Sequence, residues 1–240
     1  MNAFAAIVPV AGLSSRMGSF KPLIKLNGFY LIALAVQSAL EGGVQTVSVV
    51  IGARADEVKA ALTSQDTARA PDASLKASSF LPAEALLFTH NDEYDTSDML
   101  ASIRLGLQAL LTQKARQAPE AVFILPGDMP AVNPKTFVAL QERWRQTRAS
   151  VIVPCYKGEQ GHPLLVSQEC FTTVLPWGKA FPEQPAANSP GGLQEILKSF
   201  EWLELETDDP GILLDANTPP ALAKLDAYVR KTRGQNAPQP

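Results

Sequence analysis

The sequence predicts an α/β fold, a mostly parallel sheet covered by helices on both faces. Three observations carry this. Short apolar runs bounded by turn residues alternate with longer stretches of helical periodicity. Two of those runs, 4–10 and 121–125, end in glycine-bearing loops, as strands that feed a ligand crevice do. The 240 residues are 46% hydrophobic and 19% charged, enough apolar material for a sizeable core.

Turn signals bound the run 4–10, which is too short for a typical helix and reads as a buried strand. A polar loop from Gly12 to Ser19 follows. Residues 29–40 are apolar and helix-like and stop at Gly42-Gly43, a C-cap signal. Residues 44–51 are β-branched and read as the second strand, and 56–62 as a short helix. The stretch 65–82, rich in Ala, Ser, Asp and Pro, reads as a surface loop or insertion. Residues 85–89 read as a strand and 97–111 as a helix. There Leu100, Ile103, Leu107, Leu110 and Leu111 share one face, and Ser97 is suited to cap the start. After the strand at 121–125, Asn133 as N-cap and Pro134 at the first helical position open a helix to about Arg145. Residues 150–154 and 164–166 read as strands, the second after the turn Gly161-His162-Pro163. Residues 177–190 read as loop, 191–200 as helix and 212–214 as a short buried strand. Thr218-Pro219 starts a last helix to about Val229. With no repeat and no linker, residues 1–230 read as one domain, followed by a frayed tail, 231–240.

Net charge is 21 − 24 = −3 with the signs interspersed, so the basic stripe that nucleic acid demands is missing. No apolar run is long enough to span a bilayer. The apolar start lacks the positive region and cleavage signature of a secretory signal. Cys155 and Cys170 are far apart, which excludes a disulfide scaffold and a Cys-rich zinc site. Two histidines do not make a His-rich metal site. The expectation is a soluble, cytoplasmic protein that binds neither nucleic acid nor membrane.

In open α/β sheets ligands sit beyond the carboxyl ends of the strands, where strand order reverses. If the order is of the 3-2-1-4 type, the strand 4–10 lies beside 121–125 and their loops share one crevice. The first loop, 12–21, is neither a Walker A loop nor a dinucleotide fingerprint. Its chemistry nevertheless suits a triphosphate. Gly12 permits close backbone approach, the N–H groups of Leu13, Ser14 and Ser15 suit an anion nest, and Arg16 and Lys21 add a guanidinium and a point charge. The same residues also fit a plain strand-to-helix turn with solvated cations. In the second loop Asp128 puts a carboxylate at the end of a buried strand, and one carboxylate with phosphates is a usual Mg2+ arrangement. An Asp that only makes a turn beside Gly and Pro is the bland alternative.

Together these motifs resemble those of the nucleotidyltransferases that attach a nucleotide to molybdopterin. The family's first motif, Leu-Ala-Ala-Gly-x-Ser-x-Arg-Met-Gly-x-x-Lys-x-Leu, is followed from Pro9 to Leu23, with Pro9 and Val10 replacing Leu and Ala. Gly-Asp-Met-Pro stands intact at 127–130, and Ser-x-x-x-Gly-Leu at 102–107. Gly161-His162-Pro163 matches the Gly-His/Asn-Pro segment. Asn217-Thr218-Pro219 resembles the terminal Asp/Asn-Thr-Pro motif, though Pro220 and Ala221 replace the acidic residues that usually follow. The resemblance implies a Rossmann-like three-layer sandwich of the nucleotide-diphospho-sugar transferase type. Ala at position 11, the Gly-His-Pro segment and Gly191-Gly192-Leu193 look more like the cytidylyl branch than the guanylyl branch, which tends to carry a second Gly at the Ala11 position.

The resemblance implies a Mg2+-dependent transfer of CMP from CTP to the terminal phosphate of molybdopterin or its metal-loaded form, with pyrophosphate released. Arg16 would hold the phosphates, Lys21 the α-phosphate and Asp128 the metal. Ala11, Gly12, Leu13, Ser14 and Ser15 would line the nucleotide, and Ser102 would lie near the base or ribose. Asp215 is a candidate second metal ligand. Asn217 shares that role or, with Thr218, caps the last helix. His162 is a candidate contact to the pterin side or a phosphate, or an exposed turn residue. Asp92, Glu93, Asp95 and Asp98 suit a second metal or a solvated loop at a helix N-terminus. Trp144, Trp177 and Trp202 read as packing residues, and the two cysteines as small buried hydrophobes. Transient docking to a molybdenum hydroxylase is a family expectation. The alternatives are a guanylyltransferase, a cytidylyltransferase for a phosphorylated alcohol such as methylerythritol phosphate, and a non-catalytic carrier of the pterin cofactor.

Overall fold

The computed structural model describes residues 3–12, 20–63, 81–113, 117–175 and 192–234. Among the described residues a central sheet has eight strands. The strands are β1 (Phe4–Pro9), β4 (Thr46–Ile51), β5 (Leu86–His90), β6 (Ala121–Ile124), β7 (Val151–Tyr156), β8 (Glu159–Gln160), β9 (Leu164–Ser167) and β10 (Trp202–Glu206). The path β5-β4-β1-β6 is parallel throughout and has the anticipated 3-2-1-4 order. β9 runs antiparallel between β6 and β7, and β10 closes the far edge parallel to β7.

Period-two alternation divides the core. Phe4, Ala6 and Val8 of β1 and Ala121 and Phe123 of β6 face one layer. Ala5 and Ile7, with Val122 and Ile124, face the other. Helices α1 (Leu31–Glu41), α2 (Ala55–Thr63) and α4 (Pro134–Thr147) cover the first face. Helices α3 (Met99–Thr112), α5 (Phe171–Val174) and α6 (Gly192–Leu197) cover the second. Edge-to-face aromatics seat α4. Phe137 meets Phe123 with ring centroids 5.1 Å apart, and Trp144 meets Phe4 at 5.4 Å. Trp144 is therefore a core residue, and Trp202 is half-buried with its indole N–H on the Leu197 carbonyl. Trp177 lies outside the described residues. Cys155 and Cys170 are buried free thiols.

Five local readings change. Residues 29–30 are not helical. Phe29–Tyr30 is β3, paired antiparallel with β2 (Lys25–Leu26). Between them Asn27 and Gly28 take φ values of 51° and 87°, the Asn-Gly hairpin turn. The hairpin packs with α1 and with α7 (Pro219–Gly234) in a third, smaller cluster around Leu31, Leu34, Leu225 and Val229. Asp98, not Ser97, caps α3, accepting from the Ala101 N–H at 2.9 Å. Residues 210–213 form a 3-10 turn rather than a strand. β10 was not anticipated. Helix α7 continues past Val229 to Gly234, so the first part of the expected tail is helical. The loops expected at 65–82 and 177–190 lie largely outside the described residues. Among the described residues, no helix is long and apolar enough to cross a membrane.

Candidate nucleotide and metal site

β1 and β6 pair directly, with Phe4 against Ala121 and Ile7 against Ile124, so their C-terminal loops leave the sheet side by side. Gly127 brings them closer still: a Cβ there would lie 2.2 Å from Val10 Cγ1. At the start of the crevice Val10 donates to the Val50 carbonyl at 2.8 Å, and the Ala11 carbonyl accepts from Ala53 N–H at 3.1 Å. Ala11 is buried, and Gly12 beyond it is exposed. Leu13, Ser14, Ser15 and Arg16 lie outside the described residues.

Lys21 opens a 3-10 turn, Lys21–Leu23, pinned by buried Phe20 and Pro22 on either side. Pro22 suits the turn because its missing N–H falls where no bond is needed. Asp128 stands in the turn after β6. Met129 donates its N–H to the Pro126 carbonyl at 3.2 Å, and the neighbours Gly127 and Met129 are buried. The Lys21 ammonium reaches Asp128 Oδ2 at 3.3 Å and also donates to Asn217 Oδ1. The Asp128 contact is longer than the roughly 2.7–2.9 Å of a tight charge-assisted bond, and Asn217 shares the same ammonium. Only 14% and 19% of the Lys21 and Asp128 side chains are exposed, which shields the pair from most solvent screening.

Asp215 and Asn217 complete the cluster. Asn217 donates its backbone N–H to Asp215 Oδ1 at 3.0 Å and its side-chain amide to Asp215 Oδ2. Ala216 donates to the backbone carbonyl of Asp128 at 3.2 Å, tying the two loops together. Thr218 accepts from the Ala221 N–H and caps α7, which leaves Asn217 for the network. His162 sits beside them. Its backbone N–H donates to the Ile212 carbonyl at 3.0 Å, and its ring nitrogen Nδ1 is buried without a hydrogen-bond partner. Burial pushes the imidazole below the ordinary histidine value, and the Ile124 carbonyl and the charges of Asp128 and Asp215 oppose that shift. The sequence candidates Lys21, Asp128, His162 and Asp215 therefore converge, with Asn217 joining them.

Ser102 is buried on the inner face of α3, its hydroxyl accepting from the Asn91 amide at 3.1 Å. Asn91 also donates to Ser97 at 2.9 Å. This buried asparagine was missed, because a single Asn after a strand carries no pattern. Gly106, one turn on from Ser102, lets α3 lie close to the sheet, since a Cβ there would come within 2.7 Å of Ile7. Asp98 serves as a helix cap and exposed Asp92 pairs with His90, so the acidic run at 92–98 is a solvated helix entry. Among the described residues no group of three or more His, Cys, Asp or Glu side chains is placed to hold a metal unaided.

Residues 6–188 match the family model described as MobA-like NTP transferase domain. The chain is 24% identical over 219 residues to the molybdenum cofactor cytidylyltransferase of Escherichia coli K12, covering 91% of this chain and 93% of the relative. It is 25% identical over 239 residues to a probable molybdenum cofactor guanylyltransferase of Natranaerobius thermophilus, covering 95% and 97%. A solved nucleotidyl transferase from Methanothermobacter shares the fold with a TM-score of 0.69 at 24% identity, covering 97% of this chain and all of that one. The chain belongs to the MobA-like NTP transferase domain family, a family of nucleotidyltransferases.

Proposed function

We propose that the protein transfers CMP from CTP to the terminal phosphate of molybdopterin or its metal-loaded form, releasing pyrophosphate and leaving a cytosine dinucleotide cofactor. The observation that carries this reading is the meeting of Lys21 and Asp128 across the loops of β1 and β6, with Asn217 on the same ammonium. A cation suited to phosphate and a carboxylate suited to a metal, side by side at the strand ends, support that reading.

The donor set fits Mg2+. Asp128, Asp215 and Asn217 offer hard oxygen atoms, a partial shell that substrate phosphates and water would complete. Asp128 would hold the ion and Asp215 would add a second carboxylate. Bound there, Mg2+ supplies charge neutralisation on the phosphates. The rest of the chemistry belongs to the chain. A terminal phosphate oxygen of the pterin forms a bond to the α-phosphorus of CTP, and the bond from that phosphorus to the α–β bridging oxygen breaks. The attacking oxygen is already anionic, so no strong base is needed and alignment dominates. Lys21 would hold the α-phosphate, Arg16 would hold the outer phosphates, and the backbone of residues 12–14 would contact the nucleotide. His162, beside these groups, would contact the acceptor or one of its phosphates. Ser102 lies towards the base or ribose. The reading of CTP over GTP rests on Ala11, two residues past β1, where guanylyl members tend to carry glycine and where a methyl would disfavour a purine.

The test is the product. The enzyme, freshly prepared molybdopterin, Mg2+ and CTP are incubated and the adduct is weighed by mass spectrometry. A cytidylyl adduct is expected. An adduct formed only from GTP moves the assignment to guanylyl transfer. CTP-dependent modification of a phosphorylated alcohol but not of the pterin moves it to another acceptor.

A further inference from the structure

We propose that Asp209 is a positioning residue that sets the placement of Asp128 and Asp215 for their metal, an inference that rests on the reading of those two carboxylates given above. Asp209 is buried, 7% exposed, at the head of the 3-10 turn Pro210–Leu213. Its Oδ2 accepts from the Asn133 N–H at 2.8 Å and from the Thr136 hydroxyl at 2.7 Å. Its Oδ1 accepts from the Gly211 N–H at 2.8 Å and from the Tyr228 hydroxyl at 3.4 Å. None of these donors carries a formal charge. Burying a carboxyl group is costly unless its oxygens are satisfied, and here four donors at the start of α4, in the turn and on α7 satisfy both. Asp209 joins α4, the turn and α7 at one point.

The active crevice hangs from that point by three short connections. Gly211 lies against the Ala131 carbonyl so closely that a Cβ would stand 2.1 Å from it, and Ala131 is three residues beyond Asp128. The Ile212 carbonyl accepts from the His162 N–H at 3.0 Å, and Gly161 packs against the same carbonyl. Three residues past Ile212 the chain reaches Asp215, and Ala216 donates back to Asp128. The Asp128 loop, the His162 turn and the Asp215 loop thus share the turn that Asp209 fixes. Asparagine cannot replace it. One of the two side-chain positions becomes an N–H donor, and each position faces a backbone N–H that cannot turn away.

The experiment compares the full-length wild type with Asp209→Asn and Thr136→Val. Mn2+ binding in the presence of CTP is read by electron paramagnetic resonance, and pyrophosphate release is titrated with Mg2+. Both variants are expected to bind Mn2+ more weakly, Asp209→Asn by about 10- to 100-fold, the loss typical of a group that orients metal ligands. Saturating Mg2+ is expected to restore much of the rate, with the KM for CTP little changed. If Asp209→Asn does not fold, Thr136→Val, which removes one donor at constant shape, decides with a smaller shift of the same sign. Folded variants with unaltered Mn2+ affinity and an unaltered Mg2+ midpoint overturn the proposal, as does a wild type that binds no Mn2+. A wild type that binds Mn2+ with CTP but transfers nothing to the pterin overturns the proposed acceptor alone, and the Mn2+ comparison still judges Asp209.

Discussion

Strands β4, β1 and β6 are parallel and buried along nearly their whole length, and the segments after β1 and β6 carry Lys21 and Asp128. Strands β9, β7 and β10 mix directions and finish in a half-exposed edge, and their side of the site comes from turns: His162 before β9, Asp215 and Asn217 after β10. The first region positions Lys21 and Asp128 by apolar packing, with Phe20, Pro22, Gly127 and Met129 fixing the backbone around them. The second positions its residues by polar bonds, among them those made by buried Asp209. Packing tolerates loss of a polar group better than a hydrogen-bonded turn does, and a hydrogen-bonded turn tolerates loss of an apolar one.

The largest effect is expected at the seam between the regions. Asp128→Asn keeps the shape of the turn and removes the charge, and kcat is predicted to fall by about 100- to 1,000-fold, measured by steady-state pyrophosphate release. Lys21→Ala comes next. Losing one charge-assisted contact, about 1.5–3 kcal/mol, is predicted to raise KM for CTP by about tenfold or more, with equilibrium dialysis of CTP as the check. If Lys21→Ala altered stability alone, the cation would belong to the fold and not to the phosphates.

The packing contrast has its own test. Phe123, fully buried in β6, is predicted to cost about 3–5 kcal/mol when changed to Ala. Trp202, half-buried in the edge strand β10, is predicted to cost about 1–2 kcal/mol. Urea unfolding of both variants compares them, and equal losses would erase the distinction between the two regions. The smallest effect is a pH dependence. His162 is harder to protonate in the fold than in the unfolded chain, chiefly through burial. Its contribution to stability is therefore complete above the unfolded value near 6.5 and is lost as pH falls through that value towards the folded one. One such group imposes a slope of at most about 1.4 kcal/mol per pH unit. His162→Asn is predicted to flatten that part of the acid limb, measured as urea midpoints at several pH values.

The same contrast governs what the sequence disclosed. The run at 121–125, buried on both faces, announces itself by composition, and the 3-2-1-4 order then puts Asp128 beside the loop of β1. The Asn133-Pro134 start of α4 is equally plain, with Asn133 accepting from the Lys135 N–H at 2.9 Å. The second region was harder. β10 alternates Leu and Glu at an edge, and such a short amphipathic run resembles a loop. Asn27-Gly28 was a hairpin signal masked by the helical pattern beside it. Asp209, in Asp208-Asp209-Pro210-Gly211, has the composition of an exposed turn, and its burial follows from α4 and α7 arriving from elsewhere in the chain. The Asn91–Ser102 bond likewise exists only after β5 and α3 have packed.

On this reading the loops of β1 and β6 form one nucleotidyl-transfer site. Its most direct test is pyrophosphate release by the wild type and Asp128→Asn, with Mg2+, with each of CTP, GTP, ATP and UTP, and with molybdenum cofactor that another transferase accepts. Release with CTP, near absence with the other three, and its loss in Asp128→Asn are predicted. Silence with all four nucleotides, or an Asp128→Asn variant as fast as the wild type, would contradict the account.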